Sequence, residues 1–149
     1  MSLEKIKNRQ RLTWEGMFYS IQRIDLLIVS FSAGGIYLCL ELLKYLKENN
    51  SEESLLLVKI SGSLFLLAII VNFLSQSFGY LSNKMDYLMC EVEIDCEGKK
   101  LTKKDKKDIK EYDKKSEKYS KWTECLNYSS ITFMFCGLIL ITIFLWMTY

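Results

Sequence analysis

Histidine is absent from all 149 residues of this chain. The commonest general base and the commonest metal ligand are therefore missing, and hydrolase templates built on them are excluded. Proline is absent too. That removes the residue that most often breaks a helix, and an all-α chain is the expected result. The five cysteines, Cys39, Cys90, Cys96, Cys125 and Cys136, include no pair at the two-residue spacing of zinc or thiol-redox sites. They read as small buried hydrophobes. Glu91, Glu93, Asp95 and Glu97 surround Cys90 and Cys96, an acidic setting expected to disfavour thiolate reactivity. An intramembrane enzyme would need convergent acid, base or nucleophile groups, which Glu41, Lys59 and the cysteines do not supply. No enzyme activity, cofactor or metal is expected.

Charge is scarce only in places. Residues 60–83 and 125–149 carry no charged side chain, and neither do residues 26–40. Apolar runs of about 18 residues or more read as membrane spans rather than core helices. The expected fold is an all-α polytopic membrane protein with three transmembrane helices, an N-terminal amphipathic helix and a cytoplasmic helical hairpin stalk. Its expected divisions are the amphipathic helix at 1–25, span one at 26–43, a short external loop at 44–54, span two at 55–81, the hairpin at 82–130 and span three at 131–149. A signal peptide is not expected, because span one lies behind a polar arm and lacks a small-residue cleavage pattern.

Lysine and arginine set the orientation. Lys5, Lys7, Arg9, Arg11 and Arg23 precede span one, and Lys84 with the lysines from Lys99 to Lys121 separates spans two and three. The connection at 44–54 holds only Lys44 and Lys47 against Glu48, Glu52 and Glu53. The positive-inside rule then puts the N-terminus in the cytoplasm and the C-terminus outside. Trp146 and Tyr149 fit an outer aromatic belt, and Trp122, Tyr128 and Tyr80 an inner one. The arm repeats Leu3, Ile6, Trp14, Met17, Ile21 and Ile24 at helical spacing, so it either lies on anionic lipid or packs on cytoplasmic helices. Gly98 is a natural helix stop and Thr102 a good N-cap, with a strand over Glu91 to Glu97 as the alternative. Glu111 with Lys115 and Glu117 with Lys121 have the spacing of helix ion pairs.

The polar residues inside the spans are the candidate functional groups. In span two, Ser61, Phe65, Ala68, Asn72, Gln76 and Gly79 share one face. Carboxamides facing lipid are costly, so Asn72 and Gln76 should look into a bundle, a second subunit or water. They serve either as glue between helices, or with Ser61 as the lining of an aqueous path. In span one, Ser30, Gly34, Gly35 and Tyr37 form a small-residue surface for close helix packing. Glu41 and Lys59 lie toward the outer ends of their spans, where they pair, snorkel, or in the case of Glu41 ring a pore mouth that favours cations. The run Lys99, Lys100, Lys103, Lys104 and Lys107 is a candidate surface for a nucleotide or oligonucleotide. Against that, the interleaved acids, the missing Gly-rich loop and the missing aromatics favour simple retention of a cytoplasmic loop.

Arg9 to Leu12 with Trp14, followed by the pattern of spans one and two, resembles the SLATT class of small membrane effectors in bacterial antiphage systems. With its third span the chain is similar to three-span variants such as the membrane partner in Hailong-type systems. The resemblance implies a homo-oligomer, with a tetramer favoured, that forms a pore and depolarises or permeabilises the inner membrane when a nucleotide signal appears. It also implies a cytoplasmic nucleotidyltransferase as partner. The alternative class is a non-enzymatic accessory or scaffold subunit of a larger membrane complex.

Overall fold

Without proline, and with every apolar run flanked by good helix formers, helices have nothing to stop them short. The computed structural model describes the backbone of residues 3–48, 55–95 and 102–148, and the side chains of 21–48, 55–92 and 102–148. It contains three helices, α1 (Leu3–Glu48), α2 (Leu55–Asp95) and α3 (Lys103–Thr148). The divisions expected at 25/26, 81/82 and 130/131 interrupt none of them. The 46, 41 and 46 residues of the helices give lengths of roughly 60 to 70 Å at 1.5 Å per residue, about twice a hydrocarbon core. All three are long and apolar enough to cross a membrane. The strand alternative fails through Asp95, where α2 is still helical; a lone strand had no partner to pair with. Gly98, the expected helix stop, lies outside the described residues, as do the side chains of Trp14 and Phe18.

Thr102 caps α3. Its backbone N–H and its hydroxyl donate to Asp105 Oδ2 at 2.8 and 2.7 Å, and the Asp105 N–H donates back to Thr102 Oγ1 at 3.2 Å. This reciprocal pair satisfies donors that a helix start leaves orphaned.

α2 and α3 form a long antiparallel hairpin in which serine hydroxyls bond backbone across the seam. Ser61 Oγ donates to the Gly137 carbonyl at 2.7 Å, Ser75 Oγ to the Thr123 carbonyl at 2.9 Å, and Ser82 Oγ to the Ser116 carbonyl at 3.1 Å. Each advance of seven or fourteen residues along α2 is matched by an equal retreat along α3. Ala68 and Ser130, both buried, fill the vacant step of the same register. Small residues at every seventh position let the two backbones approach closely enough for these bonds.

α1 lies antiparallel to α2 and only lightly against α3. Its inward row is Ile28, Ser32, Gly35, Cys39 and Leu46. The centre of the bundle is Phe65, which is fully buried between Gly35 of α1 and Gly137 of α3. The outside is apolar: Leu26, Phe73, Ile139 and Trp146 are all exposed. A surface of this kind is compatible with lipid contact. Of the cysteines expected to be buried, only Cys39 is so among the described residues; Cys90, Cys125 and Cys136 fall on the outer faces of their helices and are exposed. Cys96 lies outside the described residues.

Candidate functional site

Below the Phe65 layer the bundle turns polar. Asp25 is the last charge of α1 before the charge-free run 26–40, and it faces α2. Asn72 Nδ2 donates to Asp25 Oδ1 at 2.9 Å, and one turn further on Gln76 Nε2 donates to Asp25 Oδ2. Asn72 is buried, while Gln76 is exposed. On the other side of α2, Ser75 Oγ is also 2.6 Å from Asn127 Oδ1, so its single proton is shared between that oxygen and the Thr123 carbonyl. A polar layer thus runs from Asp25 through Asn72, Ser75 and Gln76 to Asn127. Glu124, the last charge before the apolar half of α3, follows Thr123 at this same level.

The Asp25 end of the layer opens outward. Gln22, Asp25, Leu26, Val29, Asn72 and Gln76 line an open cleft of about 390 Å³. An ionised carboxylate offers about four lone-pair sites, and the two carboxamides occupy two of them. The remainder can receive a cation or water from the cleft. Two amide donors also hold the carboxylate in a fixed orientation, which a lone flexible aspartate would lack.

The structure brings only some of the sequence-derived candidates together. Asn72 and Gln76 come together, at Asp25. Ser61 does not join them: it is fully buried and bonds Gly137, so its expected place on an aqueous path is corrected to one inside the α2–α3 seam. Of the α1 small-residue surface, one member packs within the chain. Gly35 packs, with its missing Cβ occupied by the Phe65 ring, but Ser30, Gly34 and Tyr37 point away from the bundle, and nothing stands within 4 Å of a Cβ built on Gly34. The reason is the apolar row of Ile28, Cys39 and Leu46, which turns the other face inward. Glu41 and Lys59 are both exposed and no ion pair joins them, so the expected pairing of the two is not made within the chain.

Lys103, Lys104 and Lys107 are exposed on the first turns of α3, and Lys99 and Lys100 lie outside the described residues. Farther along, the Lys115 ammonium bonds Glu111 at 2.7 Å and holds its carboxyl below the ordinary glutamate value, and Lys121 does the same to Glu117 at 2.7 Å. Both lysines are raised in return. Near the polar layer, Phe78 of α2 meets the rings of Tyr119 and Trp122, each with centroids 6.1 Å away.

Asp25 is the residue that sequence reasoning missed. Its position at the edge of span one makes it look like an ordinary flanking charge. The signal was present in the two carboxamides of span two, which need a partner level with them. Among the described residues, no group of three or more His, Cys, Asp or Glu side chains is placed to hold a metal ion. No protein-family model, curated protein or solved structure matches the chain.

Proposed function

We propose that this chain is a self-assembling membrane effector that permeabilises or depolarises the bacterial inner membrane on a cytoplasmic signal, as its resemblance to the SLATT class implies. The observation that carries this reading is the Asp25 carboxylate, held on both oxygens by Asn72 and Gln76 and open to a cleft on the outside of the protomer. Ionisable groups at the level of a membrane span are costly, and they are retained where they face water, ions or a partner. In an oligomer that turns these clefts toward a common axis, Asp25 forms an acidic ring at the cytoplasmic end of the path and favours cations. The N-terminus and the α2–α3 turn then lie in the cytoplasm, where Lys103, Lys104 and Lys107 meet a nucleotide or oligonucleotide made by a nucleotidyltransferase partner. The lysines draw the signal; Asp25 draws the permeating ion. No catalytic step is assigned to the chain.

Ion flux into liposomes tests the reading. Wild-type protein should conduct, and Asn72→Leu/Gln76→Leu should assemble normally and lose the flux. Unchanged flux in the double variant removes the carboxamides from the path. A scaffold subunit is the second reading, favoured by the Ser61, Ser75 and Ser82 bonds, which use much of span two's polarity to hold the protomer together. A stable homo-oligomer purified without a larger partner argues against it.

A further inference from the structure

Glu41 and Lys59 are opposite charges on apolar helices, both exposed and not paired with each other within the chain. Their levels along the bundle nearly coincide. A Cβ on Gly62 would lie 3.4 Å from Cys39 Cβ, which fixes the antiparallel register of α1 and α2. Glu41 follows Cys39 by two residues and Lys59 precedes Gly62 by three, which moves both in one direction by about 3 and 4.5 Å at 1.5 Å per residue. The levels of the two residues differ by roughly 1.5 Å, less than one side chain.

Copies of a chain related by rotation about an axis normal to the membrane keep their levels, so an interface between them joins residues of equal level. Resting on the self-assembling reading above, we propose that the outward face of α1 docks on the outward face of α2 of a second copy, with Glu41 paired to that copy's Lys59. The same register carries two further matches. Tyr37 falls level with Ser63, a phenol opposite a hydroxyl, and Gly34 falls level with Leu66, a gap opposite a knob. All six residues are exposed in the single chain. The empty space at Gly34 lets the second helix come close, and pairing removes two charges that are costly apart in an apolar surrounding. Because one face meets a different face, the contact is head-to-tail and closes into a ring.

Charge exchange between chains tests this contact. Glu41→Lys and Lys59→Glu, each purified alone in detergent, should lose the oligomer seen by light scattering for the wild type, with helix content unchanged. Co-expressed with different tags, the two variants should co-purify as a restored oligomer, because each then meets its opposite charge across the interface. With the five native cysteines replaced by alanine, Glu41→Cys and Lys59→Cys chains should cross-link when mixed and not separately. An oligomer that survives either single exchange, or a mixture that neither restores assembly nor cross-links, overturns the interface and leaves the self-assembling reading standing. A monomeric wild type overturns both.

Discussion

The Phe65 ring lies 2.5 Å from the place where a Cβ on Gly35 would stand. On its other side a Cβ on Gly137 would come within 3.0 Å of the same ring. One aromatic of α2 therefore fills the space left by two missing side chains, one from each neighbouring helix. The three helices converge on it, and the polar layer with Asp25 lies toward the α2–α3 turn.

Alanine at the span-one and span-three glycines should act in a graded way. Gly35→Ala must displace a fully buried ring and should destabilise the bundle by about 1–3 kcal/mol through overpacking. Gly137→Ala should cost less, because its contact is tight and not overlapping. Gly34→Ala has open space and should leave the protomer's stability unchanged or slightly raised. Unfolding in mixed micelles by denaturing detergent would rank the three.

Ser75→Ala removes the hydroxyl that links α2 to both Thr123 and Asn127. Hydrogen bonds between membrane helices are worth roughly 0.6 to 2 kcal/mol, and a loss in that range is expected. Ser77→Ala is the matched control, since that hydroxyl bonds only the Phe73 carbonyl of its own helix. Equal unfolding free energies for the two variants would contradict the seam.

At the start of α3, Thr102→Ala deletes the reciprocal bonds with Asp105. Loss of such a cap costs about 1 kcal/mol, concentrated in the first turns. Amide exchange should speed up near Lys106 and stay unchanged near Met134.

The Glu111–Lys115 and Glu117–Lys121 pairs give α3 a defined pH response. Both glutamates are held below their ordinary value by the hydrogen bond and charge of the lysine, so their contribution is present above the unfolded glutamate value and is lost as pH falls through the lower folded one. Both lysines are raised, so their contribution is complete below the unfolded lysine value and is lost as pH rises through the higher folded one. The support is therefore greatest across the neutral window. The groups are fully exposed, and salt should screen the effect. Carboxyl titration by NMR should find Glu111 and Glu117 below the ordinary glutamate value, with the shift shrinking in molar salt.

Much of this arrangement is legible in the residues. The charge-free runs and the missing proline point to three long helices, Thr102 marks the start of α3, and the glutamate–lysine spacing gives the two ion pairs. The seam was harder to read. Its signal is Ser61, Ala68, Ser75 and Ser82 at steps of seven, set against Ser116, Thr123, Ser130 and Gly137, and hydropathy scarcely registers such residues. The inward face of α1 was hard to read for a related reason. Ser30, Gly34 and Tyr37 carry the small and polar groups, but Ile28, Cys39 and Leu46 supply the apolar row that turns inward. Asp25 could not be placed until α1 and α2 were docked, because the sequence separates it from Asn72 and Gln76 by 47 and 51 positions.

The most direct measurement is the reversal potential of reconstituted protein under a potassium chloride gradient, for the wild type and for Asp25→Asn. The asparagine keeps one oxygen for the Asn72 amide, presents its own NH2 to Gln76, whose carboxamide can turn to accept it, and removes the charge. The account predicts a cation-selective current in the wild type, with selectivity lost or the current abolished in Asp25→Asn while assembly is kept. A current with the same reversal potential in both proteins would contradict it.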